Sequence, residues 1–314
     1  MLILNFIYFG ISALALTISG IYLIKSLSKI SRFLGISEFS AAFIIMAFAS
    51  SIPELFVGIN SAIAGNPALS LGNIIGANII NLTLISGIII LMNKEIKIKS
   101  KRIGADLYFM LISILLIIIL YSIGQSLSRI DGIILLSIFA LHTYKIFKKR
   151  KKYKKRKREK EKKMVNGFYQ LITFLIAITC LFISSNFVVR YASNVALDLN
   201  LPDLILGLFL LSIATTLPEL VFGISATSLK HKEMALGNQI GSVVTNATLV
   251  LGIVAVIHPI STEFGPFLIS SIFMFISAFI FVTFLKTGSK LEKIEGTSLI
   301  LLYVLFIIIE FFAK

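Results

Sequence analysis

Ten apolar stretches of about 20 residues, each as long as a helix must be to cross a hydrocarbon core, occupy most of this 314-residue chain. Hydrophobic residues make up 57% and charged residues only 14%, too apolar a mixture to enclose in a soluble globule. The spacing predicts spans at roughly 3–24, 38–63, 69–92, 103–123, 130–147, 168–189, 203–228, 235–257, 265–285 and 295–312. The expected fold class is therefore an all-α polytopic membrane protein with ten transmembrane helices.

The basic residues test that count, because lysine and arginine accumulate in short loops on the cytoplasmic side. The loops and flanking helix ends after spans one, three, five, seven and nine carry 3, 5, 14, 2 and 3 of them, 27 of the chain's 30. Only Arg129, Arg190 and Lys314 fall on the opposite side. A miscounted span would scramble this alternation, so both termini are expected outside, in a multi-pass protein of the cell membrane. The formal charge of +15 then belongs to topology, and no nucleic-acid partner is expected.

The densest run, KKRKKYKKRKREKEKK at Lys148–Lys163, lies in a cytoplasmic linker, 148–165, that separates two five-helix halves, 1–147 and 166–314. It reads either as a solvated linker or as a patch for anionic lipid head groups. A single cysteine, Cys180, excludes an intramolecular disulfide and a cysteine zinc cluster. The first stretch lacks a basic leader and is expected to be a retained helix.

One pair of segments repeats. SSIPELFVGINSAIAGNPALSLGNIIGANIINLTLISG from Ser50 and TTLPELVFGISATSLKHKEMALGNQIGSVVTNATLVLG from Thr215 align without a gap, with 14 identities in 38 positions and a constant offset of 165. Because each half has an odd number of spans, the second copy enters the membrane from the opposite side, which predicts two inverted five-helix repeats.

Each copy places one glutamate, Glu54 or Glu219, in mid-span, where a carboxylate needs a partner. No lysine or arginine lies deep enough to serve, so a mobile cation is the natural counter-charge. Pro53 and Pro218 precede the glutamates and free carbonyls one turn earlier, near Ala49 and Ala214. Ser50, Ser51, Thr215 and Thr216 add hydroxyls on the same turn. An all-oxygen set of this kind suits calcium or sodium rather than zinc or copper. Downstream, Gly72/Gly76 and Gly237/Gly241 have the spacing that lets helices approach closely or exposes backbone to an ion, and Asn81 and Asn246 lie deep in apolar helices.

At these residues the chain resembles the calcium/cation antiporter superfamily, in the manner of its prokaryotic sodium/calcium exchangers. The two motifs of that superfamily correspond here to 47–87 and 212–252. The resemblance implies a cation site formed by Glu54, Glu219, Ser50, Ser51, Thr215, Thr216, Asn81, Asn246 and Ser242, with carbonyls at Ala47 and Ser212, and implies that spans one and six slide to expose it alternately. Ala77 stands where the family usually has a serine that helps bind sodium, and Asn246 where an acid is common. Both departures touch coupling, and two carboxylates sharing one site repel, so protons should compete with the metal.

The implied function is secondary active exchange of calcium for sodium by alternating access. The alternatives are proton-coupled exchange of calcium or another divalent cation and, outside the class, a cation channel. An enzyme is not expected, since His142, His231 and His258 fall at helix ends or in loops with no catalytic pairing. No cofactor is expected beyond the transported ions, and no obligate protein partner.

Overall fold

A computed structural model describes residues 2–33, 46–93, 95–97, 103–151, 164–229, 231–287 and 290–312. These are almost wholly helical. The helices are α1 (Leu2–Phe33), α2 (Ile52–Ile63), α3 (Pro67–Leu91), α4 (Ile103–Gly124), α5 (Arg129–Lys151), α6 (Met164–Leu199), α7 (Asp203–Ser228), α8 (Lys232–Ile257), α9 (Phe264–Thr287) and α10 (Lys293–Phe312). Residues 46–50 are also helical and lead into α2 through a turn at Ser51. Among the described residues seven helices are long and apolar enough to cross a membrane: α1, α3, α4, α6, α7, α8 and α9. The polybasic run lies mostly outside the described residues, and α6 begins at Met164, inside the expected linker.

Helices α2, α3, α7 and α8 form the centre. The α2–α3 and α7–α8 hairpins close alike: Asn66 N donates to Ser61 O at 2.9 Å, and His231 N to Ala226 O at 2.9 Å, positions 165 residues apart. Each is the six-to-one bond that ties off a helix C-terminus. In the first hairpin Gly65, at φ 81°, takes the left-handed turn. The halves interlock, because α3 is flanked by α9 and α10 of the second half and α8 by α4 and α5 of the first. Their glycines meet with little space between backbones. A Cβ on Gly87 would stand 2.8 Å from Gly296 O, and one on Gly132 2.8 Å from Gly252 O.

Helices α1 and α6 run against each other along their length and share their own apolar cluster with the 46–50 segment, α2 and α7, built on Leu16, Leu23, Leu181, Val188, Ala49 and Leu211. A larger cluster fills the rest of the bundle. Lipid-length apolar faces remain exposed on α1 and α6, including Ile7, Leu14, Ile18, Leu175, Ile183 and Phe187, as expected where the surrounding solvent is hydrocarbon. Cys180 is exposed on α6. A two-residue ladder, β1 (Ile96–Lys97) with β2 (Lys290–Leu291), links the α3–α4 and α9–α10 connections; two residues per strand leave no periodicity to read in a sequence.

Candidate cation site

Both glutamates are completely buried at the centre of the four inner helices. Neither oxygen of Glu54 nor of Glu219 has a hydrogen-bond partner of good geometry among the described residues. Burying such groups without partners is among the most expensive arrangements a fold can hold, and a cation between them would relieve it. The carboxylates are close enough to repel, and each lies against a hydroxyl from the other half: Glu54 against Thr215, Glu219 against Ser50. Glu310 is also buried, at 3% exposure, which its place near a helix end did not suggest; it differs in accepting a hydrogen bond from Ser270 at 2.7 Å.

The two prolines act differently. Around Pro53 the helix turns at Ser51 before α2 begins, whereas α7 runs through Pro218 unbroken. The carbonyl that Pro218 strips of its helical donor is that of Ala214, and Thr17 of α1 donates to it at 3.2 Å. One turn on, α1 passes the prolines at Gly20, where a Cβ would lie 2.9 Å from Pro218 Cγ and 3.2 Å from Pro53 Cγ. Helix α1 therefore touches both halves of the site at its backbone.

The glycine motif is used for close approach. A Cβ on Gly72 would sit 2.1 Å from Leu204 O and one on Gly76 2.2 Å from Leu208 O, so α3 and the first turns of α7 cross backbone to backbone. From the other side Gly207 faces Leu69 O, with 2.3 Å to its missing Cβ. Gly237 and Gly241 are buried in the corresponding stretch of α8.

Asn81 and Asn246 each open a π-helical turn, Asn81–Ile85 and Asn246–Val250, again 165 residues apart. Such turns add a residue to the helix and recur at functional sites. Both side chains are buried; Asn81 leaves its oxygen and nitrogen unpartnered, while Asn246 donates Nδ2 to Asn78 and leaves only its oxygen free. A third π turn, Gly207–Leu211, lies just ahead of Ser212.

The remaining expected residues are buried in the same region. Ser51 Oγ has no partner. Ser50 Oγ lies 2.8 Å from Ser242 Oγ and 3.4 Å from Asn238 Oδ1. Thr215 donates to Asn73 Oδ1 at 3.0 Å, and Thr216 bends back to Ser212 O at 2.7 Å. The carbonyls of Ala47 and Ser212 both carry local hydrogen bonds, Ala47 O from Ser51 N at 3.2 Å. Ala77 is buried and brings no oxygen of its own side chain. Asn73 and Asn238 are not among the expected ligands, although they recur at the 165-residue offset beside Gly72 and Gly237, because a polar residue next to a packing glycine carries no mark of its own in the sequence. Among the described residues no cluster of three or more histidine, cysteine or acidic side chains gathers to hold a metal; the buried polar groups around the two carboxylates are hydroxyls and amides.

The chain is 27% identical to sodium/calcium exchanger MaX1 of Methanosarcina acetivorans, over 99% of this chain and all of the relative. It is 29% identical to inner membrane protein YrbG of Escherichia coli, over 76% of this chain and 75% of that protein. The fold superposes with a TM-score of 0.68 on the sodium-calcium exchanger NCX_Mj soaked with 2.5 mM Na+ and 10 mM Sr2+, at 24% identity, covering 98% of this chain and 99% of that one. The model of the family described as sodium/calcium exchanger protein matches residues 4–148 and 169–312, which leaves out little but the linker. Both halves carry the match, and the chain belongs to the sodium/calcium exchanger family.

Proposed function

We propose that this multi-pass membrane protein is a secondary active antiporter that exchanges calcium for sodium by alternating access at a site between Glu54 and Glu219. The observation that carries the reading is a pair of fully buried carboxylates, one from each half, whose four oxygens are unpartnered. Two negative charges offset one calcium ion, and hydroxyl and amide oxygens would complete the six to eight ligands it takes. The donors are Ser50, Ser51, Thr215, Thr216, Ser242, Asn81 and Asn246, with the carbonyls of Ala47 and Ser212.

The ten helices cross the membrane as two inverted repeats, 1–147 and 166–314. The termini lie outside and the 148–165 linker in the cytoplasm, in contact with anionic lipid or simply solvated. The family match over both halves and the confinement of 27 of 30 basic residues to alternate loops support this topology. Alternating access is carried by α1 and α6, whose shared apolar cluster is separate from the main core. Glycine at the proline crossing keeps α1 smooth where it passes the site, and the polar ties to the core among the described residues can exchange during a slide, including Thr17 to Ala214 O at 3.2 Å, Asn60 to Ser185 Oγ at 2.7 Å and Asn66 to Ser193 Oγ at 3.0 Å.

Proton coupling is the second reading, and Ala77 with the neutral Asn246 favours it, since both remove oxygen or charge on which several sodium ions would depend. Uptake of radioactive calcium into proteoliposomes separates the two. Uptake under a sodium gradient that is lost in Glu54→Gln and Glu219→Gln supports sodium exchange; uptake under a proton gradient alone supports the second. Calcium movement that survives both substitutions removes the site.

A further inference from the structure

We propose that Asn73 and Asn238 are positioning residues, each taking up the proton of a ligand hydroxyl from the opposite half so that the hydroxyl oxygen presents its lone pairs to the cation. The inference rests on the cation site set out under Proposed function and adds a part to it.

A serine or threonine hydroxyl has one proton and two lone pairs, and it serves a cation only when the proton points away. Beside an ionised carboxylate the proton has a strong competing attraction, because hydrogen bonds to charged acceptors are the stronger ones. Thr215 lies against Glu54 in this way, and Ser50 against Glu219. Yet Thr215 Oγ1 donates to Asn73 Oδ1 at 3.0 Å, and Ser50 Oγ reaches Asn238 Oδ1 at 3.4 Å. The two contacts are the same contact, repeated 165 residues apart with the halves exchanged.

Three features mark the asparagines as built for this. Both are buried, Asn73 at 0% and Asn238 at 1% exposure. Each spends only its oxygen, since neither Nδ2 has a partner among the described residues. The neighbouring Gly72 sets the reach of Asn73, because its lack of a side chain lets α3 lie directly on the α7 backbone at Leu204 O. The Gly-Asn pair is thus one device, the glycine closing the distance and the amide taking the proton.

The halves are not equivalent. Besides Asn238, Ser50 Oγ has two nearer partners, Ser242 Oγ at 2.8 Å and Ala47 O at 3.3 Å, whereas the residue matching Ser242 in the first half is Ala77, and Thr215 otherwise finds only Ser212 O, the counterpart of Ala47 O, at 3.4 Å. Asn73 should therefore matter more than Asn238.

The test is radioactive calcium binding to the purified full-length protein without sodium, together with thermal unfolding of the cation-free protein. Asn73→Leu should weaken calcium binding by about tenfold to a hundredfold, the usual cost of removing a partner that orients a metal ligand. Asn238→Leu should weaken it less, and Asn73→Asp, which keeps an acceptor, should bind at least as tightly as the parent. In Thr215→Val the further change Asn73→Leu should add nothing, because there is no proton left to place. Additive losses in that pair, or a loss in Asn73→Asp as large as in Asn73→Leu, would overturn the proposal. Unfolding temperatures that fall in step with affinity would also overturn it, by showing a packing role. If Asn73→Leu does not fold, the Asp variant decides alone: retained affinity supports the role and lost affinity refutes it. Glu54→Gln and Glu219→Gln keep the failures apart, since calcium binding that survives them sinks the site itself, while binding lost there but unchanged in Asn73→Leu sinks only the asparagines.

Discussion

Asn246 Nδ2 donates to Asn78 Oδ1 at 3.2 Å, and Asn78 in turn points its own Nδ2 at the sulfur of Met274, 3.5 Å away. The relay turns the Asn246 amide so that its nitrogen is occupied and its oxygen is left free within the site. In the proposed site a neutral residue at this position would thus be held as an oxygen donor by its neighbour. Asn246→Asp would restore charge but set two oxygens against each other unless the Asn78 amide turns over. We expect Asn246→Asp to increase the sodium dependence of calcium uptake, and Asn246→Asp with Asn78→Leu to lose stability relative to the single variant. Sodium titration of uptake and thermal unfolding check the two halves of the prediction.

The carboxylates carry the charge that the cation must meet. Glu54→Gln and Glu219→Gln each remove one unit from a fully buried pair, a loss of about 3 kcal/mol or more and so about a hundredfold or more in calcium affinity. Equilibrium binding in detergent measures it. The same variants should unfold at equal or higher temperature in the absence of cations, because they remove repulsion between unpartnered charges.

Acid should act in the direction of those substitutions. A proton on either carboxylate cancels the charge that attracts calcium, so uptake should fall as pH drops and recover as it rises. A constant rate from mildly acidic to mildly alkaline medium, at fixed sodium gradient, would contradict this.

Gly20 offers a way to separate motion from binding. A methyl group there would stand 2.9 Å from Pro218 Cγ and 3.2 Å from Pro53 Cγ, in the path of α1 across both halves. Gly20→Val should lower the maximal uptake rate by about tenfold or more, the size of about 1–3 kcal/mol of overpacking applied to a moving contact. Equilibrium calcium binding should change far less.

At Gly72 the same reasoning concerns folding. The obstruction is a backbone oxygen, Leu204 O at 2.1 Å, which has no rotamer to yield. Gly72→Ala should destabilise the protein by about 1–3 kcal/mol or more, whereas Gly104→Ala, with nothing near its Cβ, should be silent in the same unfolding measurement.

Much of this protein was readable in its residues. Apolar length gives helices, and a gapless repeat marks Glu54 and Glu219 as a pair that the fold buries together, because hydropathy and register are properties a linear sequence displays; the order against a membrane that the basic residues imply is part of the proposal. Which hydroxyl lies beside which carboxylate was not readable: Thr215 beside Glu54 and Ser50 beside Glu219 are contacts between halves, set by how closely glycine lets two backbones cross. Nor were the partners of Thr215 and Asn246, Asn73 and Asn78, since a buried amide looks the same in a sequence whether it binds an ion or aims its neighbour. The linear pattern determined what had to be buried and where charge was held, and only the tertiary structure decided the direction of each hydrogen bond, because direction depends on atoms brought together from distant parts of the chain.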